Sequence, residues 1–204
     1  MKTPILLLSS LAFVATATAQ PCRGGNRGAC DRPARVACGA TSTAPLQLSA
    51  AARDALLFQI EEERMAREIY AALEAKWSLP QFRHIQRAEQ RHEDALRALA
   101  TRASLTPPAA VAGKFAAAVV QQRYDELLAR GLRSADEALA AGAAVERQDL
   151  ADLQALVACT DSEELRNVAR SLAGASERHL AAFEGRPGGA GGRNQACAGT
   201  RRRS

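Results

Sequence analysis

Residues 82–99 read FRHIQRAEQRHEDALRAL, and where their apolar and ionisable side chains fall decides the fold. Phe82, Ile85, Leu96 and Leu99 share one face of an α-helix, because spacings of three and four residues return a side chain to the same side. Glu89 and His92 lie on that face too, in the gap between Ile85 and Leu96. They form Glu-x-x-His, an i, i+3 pair whose two side chains can reach one metal ion. A carboxylate on a core-facing stripe costs several kcal/mol unless it is paired, protonated or metal-bound. The stretch therefore predicts a buried helix with a chemical purpose at its middle.

Working outward, three more stretches repeat the pattern. A first helix, from about Ser49 to Trp77, carries Leu56, Ile60, Glu63, Tyr70, Leu73 and Trp77. The second, from about Gln81 to Arg102, contains the quoted residues and stops before Pro107 and Pro108. A third opens at Ser134, where Ser134-Ala135-Asp136-Glu137 has capping-box form, and runs to about Ala158 with Leu139, Gly142, Glu146, Asp149, Leu153 and Leu156. The fourth begins at Asp161 or Ser162 and ends at Phe183, carrying Leu165, Val168, Leu172, Ser176 and His179. Two junctions are short. The junction between helices two and three is long and holds a short helix at about Lys114 to Ala129. One long connection in the middle of four helices makes helices two and three parallel, the topology of a ferritin-like four-helix bundle rather than an up-and-down one.

Composition agrees. The 204 residues are 47% hydrophobic and 24% charged, as in a globular protein, and only 4% aromatic, which together with abundant Ala favours closely packed helices over sheets. Outside residues 46–184 the chain changes character. Met1–Ala19 reads as a signal peptide: Lys2 precedes an apolar run from Ile5 to Val14, and Ala17-Thr18-Ala19 offers a cleavage site. A secreted or periplasmic protein is expected, with no stable membrane span. Residues 20–45 form an irregular arm rich in Cys, Gly and Arg, and residues 185–204 a flexible tail rich in Gly and Arg. The net charge of +5 is concentrated in these ends, and no aromatic residues interleave the arginines, so nucleic acid is not an expected partner. The cysteines Cys22, Cys30, Cys38, Cys159 and Cys197 are odd in number and lack a CxxC knuckle; in an oxidising compartment some are expected to pair.

The four stripes bring Glu63, Glu89, Glu146 and Asp149 together with His92 and His179. Glu146 and Asp149 make a second i, i+3 pair. Four carboxylates at one depth repel one another, and two divalent cations would cancel their charge. Carboxylate and imidazole donors suit iron or manganese, with zinc as an alternative, and the absence of nearby thiolates argues against a soft metal. His84 falls off the stripe and reads as a surface residue. Glu62 competes with Glu63, since Phe58, Met65 and Ile69 make its own stripe apolar.

The run Glu63-Arg64-Met65-Ala66-Arg67-Glu68-Ile69-Tyr70 resembles the Glu-x-x-Ala-x-x-x-Tyr of rubrerythrin-type members of the ferritin-like di-iron carboxylate superfamily. Its seven-residue offset from Tyr70 favours Glu63 over Glu62. More closely, Glu61 to Tyr70, Trp77, Phe82 to His92, Gly142 to Leu153 and Gly174 to Phe183 look like a bacterial and archaeal ferritin-like domain family of unknown function. The likeness covers Leu56 to Phe183. It implies a di-iron-type bundle; Tyr70 and Arg67 read as partners that orient the carboxylates, with core packing as the alternative role for Tyr70. The last helix departs from the superfamily's Glu-x-x-His, reading Ser176-Glu177-Arg178-His179; Asp149 is expected to restore the missing carboxylate. The resemblance supplies no settled reaction; the activity expected of such a centre is that of a ferroxidase or an oxygen- or peroxide-reducing oxidoreductase, with an external reductant in the peroxidase case. Metal binding without turnover, as a buffer or metal-stabilised scaffold, and an apo helical interaction module are the alternatives. A homo-oligomer is compatible with either.

Overall fold

The computed structural model describes residues 44–185. The expected signal peptide, most of the arm, nearly all of the tail, and Cys22, Cys30, Cys38 and Cys197 lie outside the described residues. Within them the chain is all-α: α1 (Ala50–Trp77), α2 (Pro80–Arg102), α3 (Ala118–Gly131), α4 (Ala135–Cys159) and α5 (Glu163–Phe183).

The helix starts are set locally. Ser49, Ser134 and Ser162 each accept a hydrogen bond from the backbone N–H three residues on, at 3.3, 3.1 and 3.3 Å, which satisfies donors that a helix start leaves open. Helix α2 begins one residue earlier than the sequence suggests, with Pro80 inside it. Proline fits the first position, where its missing N–H is not needed and its fixed φ is already helical. The reversal before it is made by Ser78, at a left-handed φ of 54°.

Helices α1, α2, α5 and α4 pack in that order around a square, and the diagonal pairs meet only through side chains in the interior, as Tyr70 and Phe183 do. The cross-links fix the directions. Arg67 meets Glu93 and Glu74 meets Arg83, so α1 and α2 are antiparallel. Gln59 meets Asp149 and Tyr70 meets Glu146, so α1 and α4 are antiparallel as well. Helices α2 and α4 accordingly run the same way, and residues 103–134 make the crossover that two successive parallel helices require. Four-helix packing with one long crossover is the architecture expected from the sequence.

The crossover lies against α1 and α4. Its short helix, expected at about 114–129, starts at Ala118 instead. The cause is a distant side chain. Glu61 of α1 accepts the N–H groups of Ala116 and Ala117, each at 2.8 Å, and so takes the capping role that Ala117 cannot supply. Arg64, 1% exposed, holds the preceding turn by donating to the carbonyls of Val111 (2.9 Å) and Lys114 (2.5 Å), with its guanidinium over the Phe115 ring.

The apolar core is split in two. One cluster contains Leu56, Ile60, Leu96, Leu99, Leu153, Leu156, Leu165 and Leu172. The other contains Met65, Ile69, Tyr70, Leu73, Phe82, Ile85, Val145 and Phe183. Between them a belt of buried polar residues crosses the bundle.

Candidate metal centre

The belt contains Gln59, Glu62, Glu63, Glu89, His92, Glu146, Asp149 and Ser176, with His179 at its edge. Helical phase puts them there: on each helix the stripe that supplies the Leu and Phe residues passes through the ionisable positions midway. Glu63 of α1 is 1% exposed, Glu89 of α2 2% and Glu146 of α4 1%.

The side chains converge as two triads that share one carboxylate. In the first, the ligand-type atoms of Glu63, Glu89 and His92 lie within 4.8 Å of one another; in the second, those of Glu89, Glu146 and His179 do. His92 Nδ1 is 2.8 Å from Glu89 Oε2 and 3.3 Å from Glu63 Oε2. His179 Nδ1 is 2.9 Å from Glu89 Oε1 and 3.6 Å from Glu146 Oε1. Glu89 thus turns one oxygen to each histidine, and the two rings stack with centroids 5.7 Å apart. Despite these short separations, the Nδ1 atoms of both histidines, Glu89 Oε1 and Glu63 Oε1 are buried without hydrogen-bond geometry to any partner. Four such orphans in one small volume are rare in a folded interior. Oxygen and imidazole lone pairs aimed at shared space are what a pair of divalent ions of the iron, manganese or zinc type would use, so the residues fit such a group.

Electrostatics record the same crowding. Burial, with Asp149 and Glu89 nearby, raises the Glu63 carboxyl well above its ordinary range. Burial and the Glu89 charge push Glu146 up to about 8. Glu89 goes the other way: burial opposes its charge, but contacts with His179 and His92 outweigh it and hold the carboxyl at about 2. Burial also works against a charged His179, yet Glu146 and Glu89 raise it to about 10. Without cations, the belt balances its negative charge with protons.

Asp149 lies in the belt, 5% exposed, but belongs to neither triad. Gln59 Nε2 donates to its Oδ1 at 2.5 Å and Ser176 Oγ to its Oδ2 at 2.6 Å. Ser176 thus meets the carboxylate expected to make good the Glu missing from α5. Tyr70 donates to Glu146 Oε1 at 2.7 Å. Arg67 does not reach the candidate ligands. Placed at the α1–α2 flank, it donates to Glu93 Oε2 at 3.1 Å and approaches Glu68. Glu62 is buried beside Glu63 but pairs with Arg123 of α3 at 2.6 Å, whereas Glu63 belongs to a triad. His84 is exposed.

Sequence reasoning missed Gln59, although its place one turn before Glu63 on the same stripe was a usable signal. It also missed the role of Arg123, which lies on the crossover helix and has no local pattern pointing to α1.

Residues 52–197 match the family model described as "Uncharacterized protein domain (DUF2202)". The chain belongs to this family. A relative of this DUF2202 chain, Uncharacterized protein MJ0754 of Methanocaldococcus jannaschii, is 33% identical over 145 residues, covering 70% of this chain and 78% of the relative. The crystal structure of hypothetical protein MJ0754 from Methanococcus jannaschii DSM 2661 superposes with a TM-score of 0.67, over 70% of the DUF2202 chain and 83% of that structure. The bundle is therefore shared with a relative solved by crystallography. No helix among the described residues is long and apolar enough to cross a membrane.

Proposed function

We propose that the protein is an exported, ferritin-like di-metal protein, with iron as its metal, that acts as a ferroxidase or reduces oxygen or peroxide. The observation that carries this reading is the pair of triads sharing Glu89, set among orphaned buried donors. Support for the superfamily comes from the parallel α2 and α4, the crossover and Glu89-x-x-His92. Support for export comes from Met1–Ala19, whose charge, apolar run and small-residue end are those of a signal peptide.

Glu63 with His92 would hold one ion, Glu146 with His179 the other, and Glu89 would bridge them. Bound iron would supply two electrons to a small oxidant. Tyr70 fixes the rotamer of Glu146 through its hydroxyl. Tyr70, Phe82 and Phe183, packed at 5.2 to 5.7 Å between ring centroids, close one end of the belt against water. The His92 and His179 side chains are 11% and 13% exposed, so the α2–α5 side is where a small molecule can approach. Asp149, tied to Gln59 and Ser176, supplies negative charge next to the triads and a fourth carboxylate.

Anaerobic loading of the full chain with Fe(II), followed by oxygen, tests the activity. Oxygen uptake with a new near-ultraviolet ferric absorption is expected, and both are lost in Glu89→Ala. Bound iron with no oxygen uptake above buffer would reduce the protein to a metal buffer or scaffold. A second reading rests on Glu89 lying between two imidazoles at 2.8 and 2.9 Å, an arrangement that also suits an apo interaction bundle. Sub-stoichiometric metal after loading with iron, manganese and zinc would favour it.

A further inference from the structure

A cation that ends in the belt must first cross the bundle wall and shed water, which costs least where fixed oxygens replace the lost hydration. Where α3 covers α1 and α4, a second set of charges lies beside the centre. One nitrogen of Arg123, Nη1, is 2.6 Å from Glu62 Oε1 and 2.7 Å from Asp152 Oδ2. A single positive point therefore sits between carboxylates from two different helices. The set is graded in depth: the side chains of Arg123 and Asp152 are 22% and 19% exposed, that of Glu62 only 1%. The second oxygen of Glu62, Oε2, is buried and has no hydrogen-bond partner. Gln148 Nε2 also donates to Asp152 Oδ2, at 3.2 Å.

Both carboxylates are also close in sequence to residues of the belt. Glu62 precedes Glu63, and Asp152 continues the three-residue spacing of Glu146 and Asp149 along α4. The pair thus runs from the partly exposed Asp152 to Glu62, which is buried in the belt. We propose that Glu62 and Asp152 form an entry site for a divalent cation bound for the centre, with Arg123 as a tethered counter-ion that holds the place until the cation arrives. This rests on the metal-binding reading above. A long, partly exposed Arg side chain can swing into solvent without carrying the helix with it, and its departure leaves two hard oxygen donors and the unpartnered Glu62 Oε2 for a cation.

The same contacts could simply pin α3 to the bundle, and the two roles differ in sign. Losing a pin loosens α3 and leaves metal uptake as fast as before or faster. Losing an entry carboxylate slows uptake without changing the number of ions held. The test is stopped-flow uptake of Co(II) by the metal-free full chain, read from the visible absorption of the bound ion, with thermal melts alongside. Asp152→Asn is expected to slow uptake by about tenfold while the final Co(II) content stays that of the wild type, and Asp152→Glu to keep the wild-type rate. Asp152→Asn loading at the wild-type rate or faster, or Asp152→Glu as slow as Asp152→Asn, overturns the entry site alone. A wild-type chain that takes up no Co(II) overturns the metal reading and the entry site with it.

Discussion

Glu89 is the residue on which the chemistry turns. Its neighbours in sequence, Ala88 and Gln90, are unremarkable, and its oxygens face one histidine from its own helix and one from α5. The titration of the metal-free belt has a calculable sign. His179 is raised from 6.5 to about 10 and Glu146 from 4.5 to about 8, so between pH 6 and pH 9 the folded chain binds more protons than the unfolded one. The stability these groups contribute is complete below their unfolded values and is lost as pH rises through the folded ones. The midpoint of thermal unfolding of chelator-treated protein is thus expected to fall from pH 6 to pH 9. Protein saturated with Fe(II) under nitrogen should show a weaker fall, because cations replace the protons. A flat profile in the metal-free protein would mean that the belt is not charged as described. At this scale the sequence was informative: spacing brought Glu89, His92, Glu146 and His179 to one level, and the resembling motif chose Glu63 over Glu62. It could not show that both Asp149 oxygens are taken by Gln59 and Ser176, nor that Arg67 turns to Glu93, because those outcomes depend on rotamers chosen against other helices.

At the scale of elements, close approach is decided by glycine. A Cβ on Gly142 would lie 2.8 to 2.9 Å from three atoms of the Phe183 ring, which is itself packed on Tyr70 and Phe82 and has little room to move. Gly142→Ala gains about 1 kcal/mol of helix propensity but loses roughly 1–3 kcal/mol to overpacking. A net loss of about 1–2 kcal/mol is expected in urea unfolding, and adding Phe183→Leu should recover part of it. A more stable Gly142→Ala would show that α4 and α5 have slack here. The long helices were legible because capping serines, prolines and apolar spacing agree at each end. Helix α3 was placed about four residues early, since its start is capped by Glu61 from another helix and no local signal records that.

For the whole molecule, the belt divides what would otherwise be a continuous core. Five of its carboxyl groups, those of Glu62, Glu63, Glu89, Glu146 and Asp149, are each 5% exposed or less, and a bundle of this size would gain stability from apolar residues in their place. Their retention makes sense if cations neutralise them. The division was readable in advance as four stripes interrupted at matching heights, while the direction of the crossover came only from its length. The most direct test is metal content per chain, measured on full-length protein loaded anaerobically with Fe(II) and desalted, beside Glu89→Ala with its helical circular dichroism checked. Two ions per wild-type chain are expected, one for each triad, with about one or fewer in Glu89→Ala. A wild-type chain that stays well below one ion after iron, manganese and zinc loading, or a folded Glu89→Ala that still holds two, would contradict it.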